Sequence, residues 1–324
     1  MIISRTPLRV SIVGGGTDFA EFYRREKGQV ISLAINKYVY VIVKERYDEL
    51  IVLNYTQHEI VKHIDEIKHD LIRECCRIVG IKNSVEISTL ADIPSQGSGL
   101  GSSSSVTVGL LNALYSFRGI QVTQEVLAKT ACQIEIEILK NPIGKQDQYI
   151  AAYGGLKRII FQNDESVEVR GFNLNADGLM KIGSNLILHY TNQTRSASGI
   201  LSQQNRNIPD KVNELKAISG LVDDLSVAID EGRYYMIGDL LKINWELKKS
   251  LSSGITSEEI DRMVTIAMEN GATGCKIAGA GGGGFLLAYV DMDQQKNYRL
   301  ALQEYRELQF MIDPFGTRII FNIL

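Results

Sequence analysis

Hydrophobic positions recur along this chain in two rhythms, one close to every second residue and one close to every third or fourth. Met1 to Ile12 is a mixed apolar run broken by Pro7, and three glycines follow at Gly14, Gly15 and Gly16. Residues 29–45 are loaded with Val, Ile and Tyr, which suit a pleated surface, so this stretch predicts a strand. From His58 to Val79, Ile60, Ile64, Ile67, Leu71 and Ile78 fall along one side at helical spacing, which predicts an amphipathic helix. A short strand at 85–87 leads into a loop from Ala91 to Ser105. Val106 to Phe117 reads as a helix, and Thr123 can cap another that runs to about Lys140.

Between Ile159 and Ser184 the pattern breaks into short strands and polar turns, and a domain boundary is placed at 175/176. Beyond it, Leu186 to Tyr190 is a strand, and 210–251 reads as helices interrupted near Gly232. Thr256 with Glu259 makes a capping box before a helix ending at Asn270. Residues 275–290 read as strand, glycine turn and strand, and 317–323 as a final strand. Strands and helices mix without a repeat period, which predicts a mixed α/β or α+β protein of two domains, 1–175 and 176–324.

Three glycine-rich loops carry candidate chemistry. The first, Arg5 to Asp18, ends a strand in Gly14-Gly15-Gly16 and displays Thr17 and Asp18 on a turn. A carboxylate there can accept hydrogen bonds from a polyol, or it can simply cap the turn. The second, Pro94-Ser-Gln-Gly97-Ser-Gly99-Leu100-Gly101-Ser102-Ser103-Ser104-Ser105, opens directly into an apolar helix. Backbone N–H groups on such glycines approach an anion closely, and the helix N-terminus favours negative charge, so phosphate is the expected ligand. Its serines can cap the helix, contact phosphate or ligate magnesium. It is not a Walker-type loop, because no Lys-Ser/Thr pair follows the glycines at the required place. In the third, Lys276 to Gly284, the glycines lead into a strand instead of a helix, which rejects a dinucleotide fingerprint.

Gly144-Lys145-Gln146-Asp147 follows a helix and puts Lys145 and Asp147 on a turn. In a phosphate-binding protein Asp147 becomes a candidate base for a substrate hydroxyl. On the helix before it, Glu135 shares its face with Ala128, Ala131, Cys132, Ile138 and Leu139, whereas Glu137 shares its face with polar residues. Glu135 is thus expected to enter apolar surroundings, where a bound cation or a buried Lys or Arg would offset its charge.

Composition narrows the picture only a little. The 324 residues carry 35 Lys+Arg against 38 Asp+Glu, a net charge of −3, which gives no basic stripe for nucleic acid. No apolar run approaches the ~18 residues of a membrane span, and no secretory signal is read at the start. The four cysteines form no CxxC pair, as expected of reduced thiols in a cytoplasmic protein.

Taken together these motifs resemble the GHMP small-molecule kinases: Pro94 to Ser105 looks like their phosphate-binding PxxxGLGSSAA pattern, with four residues between Pro94 and Gly99 and with Ser104-Ser105 in place of the alanines. Lys276 to Gly284 resembles the family's C-terminal glycine motif, and Arg5 to Asp18 its substrate-side motif. The branch most resembled is the bacterial D-glycero-α-D-manno-heptose 7-phosphate kinases, with the kinase half of bifunctional fucokinase next. The resemblance implies an α+β fold, with a ribosomal-S5-like N-terminal domain and a ferredoxin-like C-terminal domain around the active site. It implies ATP and Mg²⁺ as cofactors, and phosphorylation of the anomeric hydroxyl of a heptose 7-phosphate for nucleotide-activated heptose synthesis. The alternative is a fucokinase- or galactokinase-like enzyme of a free sugar. By the same resemblance Asp147 is the catalytic aspartate, supported by Lys145. Glu135 and Ser103 (or Ser102) would hold Mg²⁺, and Pro94, Gly97 and 99–104 the ATP phosphates. Thr17 and Asp18, with Gly15, Gly16, Gly281 and Gly282, would meet the sugar, and Arg5, Arg9 and Arg195 are candidates for a sugar-phosphate clamp. A monomer or homodimer acting on a small-molecule sugar phosphate is expected.

Overall fold

The computed structural model describes residues 1–94, 97–194 and 197–323. Among them, β1 (Ile2–Val13), β2 (Gly28–Glu45), β3 (Ile51–Asn54), β4 (His58–Val61), β5 (Val85–Ala91), β6 (Leu156–Phe161), β7 (Val167–Gly171) and β12 (Arg318–Asn322) form one sheet. A second sheet contains β8 (Leu186–Tyr190), β9 (Ala272–Ile277), β10 (Phe285–Val290) and β11 (Glu307–Leu308), in the order β11-β8-β10-β9. All neighbours are antiparallel except β3 and β5. The fold is α+β.

Strand β2 organises the first sheet. One edge pairs with β1 along most of its length, while the other edge takes β6 at residues 28–33 and β5 at 39–45. Its first eight residues are all buried and its second half alternates, as expected when helices cover both faces at one end and one face at the other. Pro7 has no N–H to give a ladder, and the β1–β2 register shifts between Pro7 and Leu8. The helix Ser102–Phe117 packs on β1 and β2. The chain's end returns to this sheet: β12 pairs with β1, and the Thr317 and Thr6 hydroxyls lie 2.8 Å apart. A second core, including Ile187, Ile218, Trp245, Ile277 and Leu286, fills the space between the four-stranded sheet and its helices.

Three sequence expectations are corrected here. The apolar repeat over 58–79 is strand β4, a short 3₁₀ turn Ile64–Glu66, and a helix only over Asp70–Val79. Strand β4 forms because β3 offers it an antiparallel edge, a partner that periodicity cannot see, and Ile60 points outward at 58% exposure. The helix read from Val106 begins at Ser102, because its serines gain partners: Ser104 bonds Glu135, and Ser105 bonds the Pro7 carbonyl at 2.8 Å. The cap before the helix Glu258–Glu269 is Ser257, whose side chain accepts from Ile260 N, while Thr256 bonds Asp261 at 2.7 Å. Thr123 does cap its helix. No helix among the described residues is long and apolar enough to cross a membrane.

Candidate active site

Asp147 stands in the first turn of the helix Gln146–Tyr153, opposite Arg9 on β1. The two meet fork to fork, Arg9 Nε to Oδ1 and Nη2 to Oδ2, both at 2.7 Å. The remaining Arg9 nitrogen, Nη1, donates to the Gly99 carbonyl, so one guanidinium ties the acid to the second glycine loop. Asp18 faces the same space. Its Oδ1 accepts from Gly16 N at 3.0 Å and its Oδ2 from Gln146 N at 3.3 Å. Burial raises the Asp18 carboxyl above its ordinary range, and the nearby Asp147 raises it further. Position 144 must be glycine for this approach, since a Cβ there would lie 2.0 Å from Asp18 Oδ2. Between these groups lies a cavity of about 60 Å³, which Gly15, Gly16 and Gln146 also line.

The glycine loops meet back to back. Gly99, at φ +72°, sits so close to β9's outgoing turn that a Cβ would be 2.5 Å from the Ala278 carbonyl, and one on Gly279 would be 2.6 Å from Gly99 Cα. Two chains can pass at that separation only as glycine. Gly101, also left-handed, is the N-cap of the Ser102–Phe117 helix, whose first turn carries no acidic residue and no side-chain cap on its N–H groups. On this loop's other side a second cavity of about 310 Å³ is lined by Ile93, Pro94, Tyr190 and Phe285, with Asp92, Arg306 and Glu307 as its charged residues.

Glu135 is fully buried and Glu137 is exposed, as their neighbours predict. The helix Gln124–Cys132 gives way to a π-helical turn, Gln133–Ile138, around it, and this wider winding leaves Ile138 42% exposed instead of inward. No Lys or Arg pairs with Glu135 among the described residues. Its oxygens accept from Thr107 (2.6 Å), Ser104 (2.7 Å) and Gln148, with Ser103 Oγ at 3.5 Å. Burial raises its carboxyl above the usual range, and the three hydrogen bonds act against that. Of the hydroxyls around it Ser103 is the exposed one, whereas Ser102 is buried and engaged with Ser98 at 3.2 Å. A carboxylate and an accessible hydroxyl near a helix N-terminus are hard oxygen donors, which fit Mg²⁺.

The chain resembles known proteins over nearly its whole length. Residues 59–155 match the GHMP kinases N-terminal domain and residues 225–307 the GHMP kinases C-terminal domain. The D-glycero-α-D-manno-heptose 7-phosphate kinase of Campylobacter jejuni is 28% identical over 319 residues, covering 94% of this chain and 93% of that protein. The galactokinase of Pyrococcus furiosus is 28% identical with 94% and 93% covered. A crystal structure of a D-glycero-D-manno-heptose 1-phosphate kinase from Bacteroides thetaiotaomicron superposes over 100% of both chains with a TM-score of 0.84 at 23% identity. The chain belongs to the GHMP kinases. It is an ATP-dependent phosphotransferase.

Several residues of this kinase lie elsewhere than the sequence suggested. Lys145 turns from Asp147 to Glu165, at 2.5 Å, and sits over the Tyr23 ring; Arg9 takes the place beside Asp147 that Lys145 was expected to fill. Arg9 therefore holds the acid and is not free to clamp a sugar phosphate. Arg5 lies over the Tyr38 ring, 3.9 Å from Asp313, and does not line the Asp147 cavity. Thr17 is buried, with its hydroxyl 2.8 Å from both the Gly14 and Gln29 carbonyls, so it fastens the turn, and of the two only Asp18 lines the cavity. Gly281 and Gly282 back onto Ile255, whose carbonyl accepts from Gly282 N at 2.7 Å, while Gly279 and Ala280 are the loop residues at the cavity. Leu100 is buried in the core, and its carbonyl accepts from Arg9 N at 2.9 Å. Arg195 lies outside the described residues. Two polar cavity residues outside the sequence motifs went unnoticed, Lys248 and Gln204. Lys248 closes a helix, where a basic residue is ordinary, and nothing local marks it as more.

Proposed function

We propose that this kinase transfers the γ-phosphoryl group of ATP to the anomeric hydroxyl of D-glycero-α-D-manno-heptose 7-phosphate, giving the 1,7-bisphosphate for nucleotide-activated heptose synthesis. The observation that carries the reading is the Arg9 bridge, which holds Asp147 against the phosphate loop on one side and beside the polyol-facing Asp18 on the other. The Campylobacter relative's activity supplies the sugar. The acceptor and nucleotide lie between the proposed domains, 1–175 and 176–324.

The nucleobase occupies the cavity bounded by Ile93, Pro94, Tyr190 and Phe285, and the phosphates follow Gly97 and 99–104 to the helix N-terminus. Ser103 and Glu135 hold Mg²⁺, which supplies charge neutralisation at the phosphates. Asp18 accepts hydrogen bonds from sugar hydroxyls and Asp147 takes the proton of the attacking one. A bond forms between that oxygen and the γ-phosphorus, the bond to the β–γ bridging oxygen breaks, and ADP leaves.

ADP release is measured with heptose 7-phosphate and with the unphosphorylated heptose as acceptors. Turnover is expected with the phosphorylated sugar, and Asp147→Asn should lower it at least ~10²-fold with ATP binding retained. Turnover confined to free sugars would move the assignment to a galactokinase- or fucokinase-like activity, and an active Asp147→Asn variant would remove the base.

A further inference from the structure

We infer that Lys248 and Lys276 form an anion site in the wall of the acceptor cavity, built to receive a phosphate group. The two come from separate elements, the last turn of the helix Met236–Lys249 and strand β9, yet both line the cavity that holds Asp18 and Asp147. They are 4% and 1% exposed. Among the described residues neither makes an ion pair: Lys248 Nζ donates to the Gly279 carbonyl, and Lys276 Nζ to the Ile12 carbonyl at 3.0 Å. The third cation on the wall, Arg9, is already committed to Asp147 through two hydrogen bonds.

The cavity therefore gathers three basic side chains around two carboxylates; Arg9 occupies Asp147, only Asp18 is left to act on Lys248, and a bound anion would supply the counter-charge still lacking. A buried ammonium group without a counter-ion either bears a large desolvation cost or gives up its proton. Burial pushes both amines down, Lys248 to about 8; Lys248 and then Arg9 push Lys276 down further, while at Lys248 Arg9 lowers and Asp18 raises. If the lysines only fastened the Gly279 turn and the end of β1, an uncharged amide would serve without that cost. A phosphate between them would remove it, accept from both amines with its spare oxygens, and restore their charge. Two phosphate groups can reach such a site: the one the acceptor already carries, or the one in transfer. The first of these rests on the proposed acceptor; the site itself does not.

Inorganic phosphate is titrated calorimetrically into the wild type, Lys248→Met, Lys276→Met and Lys248→Arg. Each is measured alone and saturated with a non-hydrolysable ATP analogue and Mg²⁺. Phosphate binding should weaken at least ~10-fold in each Met variant and recover in Lys248→Arg, which keeps the charge. Lys276→Met carries the test if loss of the Gly279 tether unfolds Lys248→Met. Binding that persists beside the ATP analogue assigns the site to the acceptor's phosphate, and binding that the analogue abolishes assigns it to the transferred group. Equal binding by the wild type and both Met variants, or none by any, overturns the inference. Heptose 7-phosphate turnover by the wild type judges the substrate separately: an inactive wild type whose phosphate binding still depends on Lys248 discards the heptose and keeps the site.

Discussion

Glu135 places a carboxylate where water cannot reach it and surrounds it only with neutral hydroxyl and amide donors. Such a group is poorly justified by stability, because an uncharged side chain of the same shape would be cheaper to bury. Glu135→Gln is accordingly expected to raise the urea midpoint of the metal-free protein, by roughly 1 kcal/mol of stability, and to lower turnover at least ~10²-fold. A destabilised variant with full turnover would make Glu135 a structural acceptor for Ser104 and Thr107. At this scale the sequence was informative about which residues carry chemistry and poor about which ones meet. Asp147, Asp18 and Glu135 are all visible as carboxylates at turns or on an apolar helix face. That Arg9 and not Lys145 grips Asp147 depends on β1 lying across from the helix Gln146–Tyr153, and 138 positions separate that pair.

At the level of elements, the close contact of the second and third glycine loops is the feature most sensitive to a single methyl group. Gly99→Ala would force a Cβ to 2.5 Å from a backbone oxygen in a left-handed conformation, and backbone cannot swing aside as a side chain can. A loss of about 2 kcal/mol or more is expected in urea unfolding, with weakened ATP binding. Gly220→Ala serves as the opposite case, since its Cβ meets nothing within 4 Å on the helix Val212–Asp230. It should stabilise by up to about 1 kcal/mol. A Gly99→Ala protein as stable as the wild type would mean that the loops do not pack as described. Element types were legible wherever caps and periodicity agreed, as at Thr123 and Gly232. They failed where a neighbour decided, as at β4, and where side-chain partners let a serine run enter a helix.

On the scale of the whole molecule, the last residues complete the first sheet. Gly155 N donates to the Asp313 carbonyl at 2.8 Å and Thr317 N to the Ala151 carbonyl at 2.9 Å, and β12 covers the outer edge of β1. A fragment of residues 1–175 would leave that edge of β1 open, beside the strand that carries Arg9. The fragment alone should show no cooperative urea transition, and adding back residues 312–324 by fusion should restore one; cooperative unfolding of 1–175 by itself would contradict this. The cavity has the same long reach. Asp18 and Asp147 come from the first half of the chain, and Lys248, Lys276 and Gly279 from the second. The order of residues alone determines the glycine loops and the mix of strands and helices, because each depends on local spacing that a backbone turn or a helix end must obey, and the loops carry the family resemblance that implies the α+β class. The ion pairing, the buried lysines and the π-turn around Glu135 were decided only by the tertiary structure. Charge pairing and desolvation depend on distances between elements, and those distances are absent from spacing along the chain.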